Sequence, residues 1–220
     1  MSFLRKHGFD FLLLGALSDF LTSYVLGIFY PQLDQRQQVI STFGDANSPV
    51  RRAFFIWSVI SGFLFVGALP AITEACRAVS KKIAVCLCVA LSAYGIGDCI
   101  STGVFSIDAQ ESVWSLSTWV HNLGSGVGYM GFLISPALFA WYYQRAGNRQ
   151  KTRSFFLLFL ISLFFAVIYG LARLPQFSDF PVLNQLGLCQ RISFFFNYLP
   201  IVVFSLQQRK NRRFFNAIDK

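Results

Sequence analysis

Six stretches of roughly twenty largely apolar residues recur along the chain, parted by polar connections that are short except for the first. A lipid interior offers no partner to backbone N–H and C=O groups, so a segment of that length and character crosses it as a helix with its hydrogen bonds closed internally. The pattern predicts spans over 9–30, 53–73, 83–105, 116–143, 155–174 and 186–206. The expected fold is therefore all-α: a polytopic bundle of six transmembrane helices in one integral membrane domain, 1–220. Composition agrees, since only 13% of the residues are charged against roughly 25% in soluble domains. The 26 phenylalanines are spread along the whole chain, which excludes a soluble domain hung on one anchor. The first span follows Arg5-Lys6-His7-Gly8 as a signal sequence would, but no small-x-small cleavage site comes after it, and it is read as retained.

Lys and Arg set the expected orientation, because positively charged connections stay cytoplasmic. Fourteen of the nineteen lie at the N-terminus, in the second and fourth connections or in the C-terminal tail. Both termini are thus expected on the cytoplasmic side of a cell (inner) membrane, which an even number of crossings permits. The same count accounts for the net charge of +9 through topology and anionic headgroups, without nucleic acid as a partner. No cofactor is expected. Two histidines cannot build a three-histidine zinc site, and Cys86 and Cys88 project about 200° apart on a helix.

Polar side chains at membrane depth face a bundle interior. Tyr94, Asp98, Ser101 and Thr102 form one stripe on the third span, and His121, Ser125 and Tyr129 another on the fourth. The sixth offers Gln190, Ser193 and Asn197 with Arg191 beside them; the first offers Asp19, Thr22 and Ser23. At 1.5 Å per residue Asp98, His121 and Arg191 fall roughly 8 to 10 Å below the outer surface, with Arg173 nearer to it. An arginine at the centre of a spanning helix costs about 2.5 to 3.5 kcal/mol, and a partner or water relieves it. Arg191 is accordingly expected to point inward, at Asp98 or a bound anion, with His121 in the same layer. The ligand-binding residues so predicted are Asp98, His121, Arg173, Gln190, Arg191 and Asn197. Arg51 and Arg52 close the first loop at headgroup level, and that loop of about 22 residues is long enough to cover an outward-facing cavity. Gly126, Gly128 and Gly131 match a dinucleotide fingerprint but sit inside a span with no strand before them; Gly124 and Gly128 read as a small-xxx-small packing pair.

The stretches "STFGDANSPVRRAF" before the second span, "GVFSID" after the third, "WVH" entering the fourth and "GLCQR" opening the sixth together resemble the six-helix prokaryotic family catalogued as domain of unknown function 998. Ser106 stands where that family usually has proline. The resemblance implies Ser48, Gly103, Phe105, Asp108, His121, Gln190 and Arg191 as positions of interest, and it implies no activity. With Arg51 and Arg52, Ser48 and Asp108 make up the outer-loop candidates.

Three function classes remain open on the sequence. The first is a non-enzymatic protein that binds or moves a lipid or small amphiphile through an outward polar pocket, Arg173 and Arg191 receiving an anionic group and Asp98 and His121 exchanging a proton. The second is an intramembrane hydrolase or transferase with His121 as base, Asp98 orienting it and Ser101 or Ser125 as nucleophile. In the third, a structural or regulatory subunit, the glycine faces and basic tail bind a protein partner or a second copy.

Overall fold

The computed structural model describes residues 2–107 and 114–218, the side chains of 212–218 excepted. Six helices in it are long and apolar enough to cross a membrane: α1 Ser2–Ile28, α2 Arg51–Arg77, α3 Lys81–Val104, α4 Leu116–Arg145, α5 Arg149–Ala172 and α6 Leu186–Ile218. Among the described residues there is no strand. The helices run past the spans expected from hydropathy at their charged ends. The α1 helix begins at Ser2 and α6 continues to Ile218, because a helix extends into the headgroup region wherever its polar flanks find partners. One such partner pair joins the two ends: Arg209 Nε lies 2.6 Å from Asp10 Oδ1, which puts both termini at the same end of the bundle. That end is called proximal below, and the opposite end distal.

Each helix packs on its neighbours in chain order and α6 closes back onto α1, so the six form a ring. A ring of six leaves an axis to fill, and the proximal half fills it with aromatic side chains. Phe204 of α6 stacks on Phe139 of α4 at 4.1 Å and meets Phe9, Tyr142 and Phe155 edge-on. Halfway along, Tyr94 stacks on Phe132 at 4.1 Å with Phe65 against its edge.

Where α3 meets α4 the backbones themselves touch. A Cβ on Gly97 would lie 2.6 Å from the Gly124 carbonyl, and one on Gly128 would collide with the backbone of Asp98. The expected Gly124/Gly128 packing face is therefore real, and it is spent inside this chain on α3. Proline shapes α6 differently. Pro200 has no N–H for the carbonyl four residues back, and Ser162 of α5 donates to that Phe196 oxygen at 2.7 Å, so the vacated acceptor becomes part of an interhelical bond.

Candidate functional site

The α3 helix changes its winding midway. Lys81–Ser92 is α-helical, Ala93–Ser101 is π-helical, and one α turn follows. Bonding from i to i+5 widens the turn, and such segments recur at functional sites. The wider turn rotates the expected stripe. Tyr94, Asp98 and Thr102 still face the axis, Cys99 joins them, and Ser101 leaves to pack beside Gly124. Thr102 Oγ1 donates to the Asp98 carbonyl four residues back.

Distal to the aromatic plug the ring encloses a cavity of about 440 Å³. At its inner end Asp19 Oδ2 accepts the hydroxyls of Tyr94 at 2.5 Å and Tyr198 at 2.7 Å, with the Cys99 thiol at 3.4 Å. The two phenol oxygens are themselves 2.6 Å apart, so α1, α3 and α6 meet in one polar knot. Further out Asp98 Oδ1 accepts from Ser125 at 2.7 Å, and Tyr129 and Ser193 share a hydrogen bond of 2.6 Å. Phe54 and Phe194 add apolar surface to the lining, while Ile40, Ser41 and Trp114 contribute from the loops. Arg173, exposed at the end of α5, lays its guanidinium over the Tyr169 ring at 5.3 Å.

Four of the six predicted ligand residues line this cavity: Asp98, His121, Arg173 and Gln190. Two of them already hold protein backbone. The His121 ring is 3% exposed, and its Nδ1 lies 2.7 Å from the Phe105 carbonyl, an oxygen that only accepts; Nδ1 therefore carries the proton and Nε2 is the nitrogen that remains. Gln190 Oε1 accepts from the Ile40 amide at 2.7 Å, which ties the first loop to α6.

Arg191 is a correction. It neither pairs with Asp98 nor lines the cavity. Its Nη1 donates to the carbonyls of Gln35, Gln38 and Gly187 at 2.8, 2.9 and 3.0 Å, and the side chain is 6% exposed. The physical reason is backbone bookkeeping: loop carbonyls pressed into the bundle have no helical donors, and a guanidinium supplies several N–H groups from one fork. Gly187 allows the approach, since a Cβ there would lie 2.6 Å from the Gln35 oxygen, and the Leu188 amide adds a bond to Arg36 O at 2.9 Å. Asn197 is a second correction. It is fully buried away from the cavity, and its Nδ2 donates within α6 to Ser193 O at 2.8 Å.

The outer-loop residues serve the loop itself. Ser48 Oγ accepts from the Val50 amide at 3.3 Å ahead of α2, Arg51 reaches Ser106 Oγ at 3.1 Å, Arg52 is exposed, and Asp108 lies outside the described residues. The relay required of a hydrolase is not assembled: Asp98 is bonded to Ser125, and His121 to a carbonyl, with no Asp98–His121 bond between them. Nor do three His, Cys, Asp or Glu side chains converge as a metal site among the described residues. Residues not singled out from the sequence include Tyr169, Tyr198, Phe54 and Phe194. Aromatic residues are so frequent here that no single one stands out by pattern.

No curated protein and no solved structure matches the chain. The sequence profile described as "Protein of unknown function (DUF998)" matches residues 13–207, a range that reaches from α1 through all the later spans to α6. This six-span membrane protein belongs to the DUF998 family.

Proposed function

We propose that the distal cavity binds, or hands across the membrane interface, a lipid or small amphiphile, and that it opens on the extracytoplasmic side with both termini in the cytoplasm. One observation carries the reading: a head-group-sized space in the distal half of a transmembrane ring, lined by carboxyl, imidazole and guanidinium groups together with Phe54, Trp114 and Phe194. Pockets for small ligands span roughly 300–1,000 Å³ and combine apolar walls with a few placed polar groups; this cavity, at about 440 Å³, falls within that range. Polar groups left unpaired in a bilayer are costly, so a constellation of this kind is the default place to look for a ligand. Arg173 takes over the anion-receiving role that the sequence divided between two arginines, because Arg191 is committed to loop carbonyls. Asp98 and His121 are the groups through which a proton would be exchanged.

The orientation rests on the basic residues clustered at the proximal end. A subunit role built on the Gly124/Gly128 face has lost its surface, since α3 occupies it. The test is native mass spectrometry of the protein purified in dodecyl maltoside, with and without Arg173→Ala. The expected result is an amphiphile retained by the parent chain and lost from the variant; equal retention, or none in either, overturns the reading.

A further inference from the structure

The charges around the cavity are of both signs and are not matched to one another. Asp19 and Asp98 contribute two carboxyls and Arg173 one guanidinium, and no ion pair joins any of the three to a described residue. They are also separated in depth. The two carboxyls sit inside the ring on α1 and α3, whereas Arg173 caps the distal end of α5 and is exposed at the mouth.

Between them stands an aromatic wall. Tyr129 meets Tyr169 edge-on at 5.8 Å and stacks with Phe194 at 5.4 Å, and all three residues line the cavity. Aromatic faces attract cations, most strongly where water is excluded, and quaternary ammonium groups are held by such walls. One ring of this wall already carries a cation, the Arg173 guanidinium over Tyr169.

We infer that the ligand head is zwitterionic: an ammonium group seated against Tyr129 and Phe194 toward Asp98, and a phosphate or similar anion outside it on Arg173. This rests on the amphiphile reading above and names the class of head it implies. A purely anionic head would bring its charge toward Asp98 and Asp19 with one arginine to offset it, and like charges in a poorly solvated site repel strongly. A purely cationic head would leave Arg173 unmatched at the mouth. Only a head carrying both signs, in this order of depth, answers both ends of the cavity. At about 440 Å³ the space suits the head group and leaves acyl chains outside the ring.

Four probes separate the alternatives, titrated into protein in dodecyl maltoside and followed by tryptophan fluorescence, with Trp114 on the cavity lining. They are dodecylphosphocholine, dodecyl phosphate, dodecyltrimethylammonium and the water-soluble glycerophosphocholine. Dodecylphosphocholine is expected to bind about tenfold more tightly than either singly charged amphiphile, in line with one cation–aromatic contact or one charge pair. Asp98→Asn should erase its advantage over dodecyl phosphate, and Arg173→Gln its advantage over dodecyltrimethylammonium. Should Asp98→Asn fail to fold, Tyr129→Leu removes the ring without touching charge and should cut the ammonium preference severalfold. Equal affinity for all three amphiphiles overturns the zwitterion inference and leaves the amphiphile reading standing. Glycerophosphocholine binding as tightly as dodecylphosphocholine keeps the zwitterion and removes the amphiphile. Saturable binding of no probe overturns both.

Discussion

Phe204 and Gln190 lie fourteen residues apart on α6, about 21 Å along the helix, and show two ways of filling the axis of one ring. Around Phe204 the ring is dry: Phe9, Phe139, Tyr142 and Phe155 interlock and the side chain is fully buried. Around Gln190 it is open, and polar side chains take the place of rings: Gln190 ties to the first loop, Ser125 to Asp98 and Tyr129 to Ser193. Lipid gives helices no hydrophobic reason to associate, so the aromatic half holds the bundle by van der Waals packing. That leaves the distal half free to keep a space that packing alone would close. The contrast predicts that stability and ligand retention respond to different residues.

The largest effect should come from Phe204→Ala. Removing a fully buried ring that touches three other helices should cost about 3 to 5 kcal/mol, read as a shift of the unfolding curve in mixed micelles, while ligand affinity changes less than twofold. A loss of affinity in step with stability would mean that the two halves are one unit. Gly128→Ala lies on the boundary between them, because its new Cβ would press on Asp98 itself. Overpacking there should cost about 2 kcal/mol and weaken binding as well, the one substitution expected to move both readouts.

Arg191→Lys should come next. All three carbonyls are held by Nη1, and a lysine side chain ends one bond short of that nitrogen, so the loop bonds to Gln35 and Gln38 should open at a cost of about 1.4 kcal/mol. Amide hydrogen exchange at residues 35–40 should then rise about tenfold, with ligand retention unchanged. If retention falls as it does for Arg173→Gln, then Arg191 belongs to the ligand site after all.

Arg191 also marks where the sequence stops being legible. Hydropathy finds the spans because each depends only on its own residues, and the depth of Asp98, His121, Arg173 and Gln190 follows from counting along a helix. The partner of Arg191 does not, because Gln35 and Gln38 offer only backbone carbonyls, which every residue has. The knot at Asp19 joins positions 75 and 179 residues away, and no local pattern announces it. The π-helical turns add a third reason. A stripe drawn with α-helical spacing keeps Tyr94 and Asp98 toward the axis, but misses Cys99 at the Asp19 knot and wrongly keeps Ser101, since the winding changes between Ala93 and Ser101.

The smallest stability change, and the sharpest separation of the two halves' logic, belongs to His121. Its Nδ1–H is bound to the Phe105 carbonyl and fixes the chain leaving α3 against the start of α4. Asparagine can place an amide N–H near the position of Nδ1, whereas glutamine extends toward that of Nε2 and gives up the bond to Phe105. If His121 serves the cavity through Nε2, His121→Asn should unfold within about 0.5 kcal/mol of the parent, a surface-scale effect, and yet lose ligand retention. His121→Gln should show the reverse order, costing about 1 kcal/mol for the lost hydrogen bond. Retention that survives in the asparagine variant would assign His121 to the loop alone, beside Arg191, and would leave Asp98 as the cavity's sole proton-exchanging side chain at that depth.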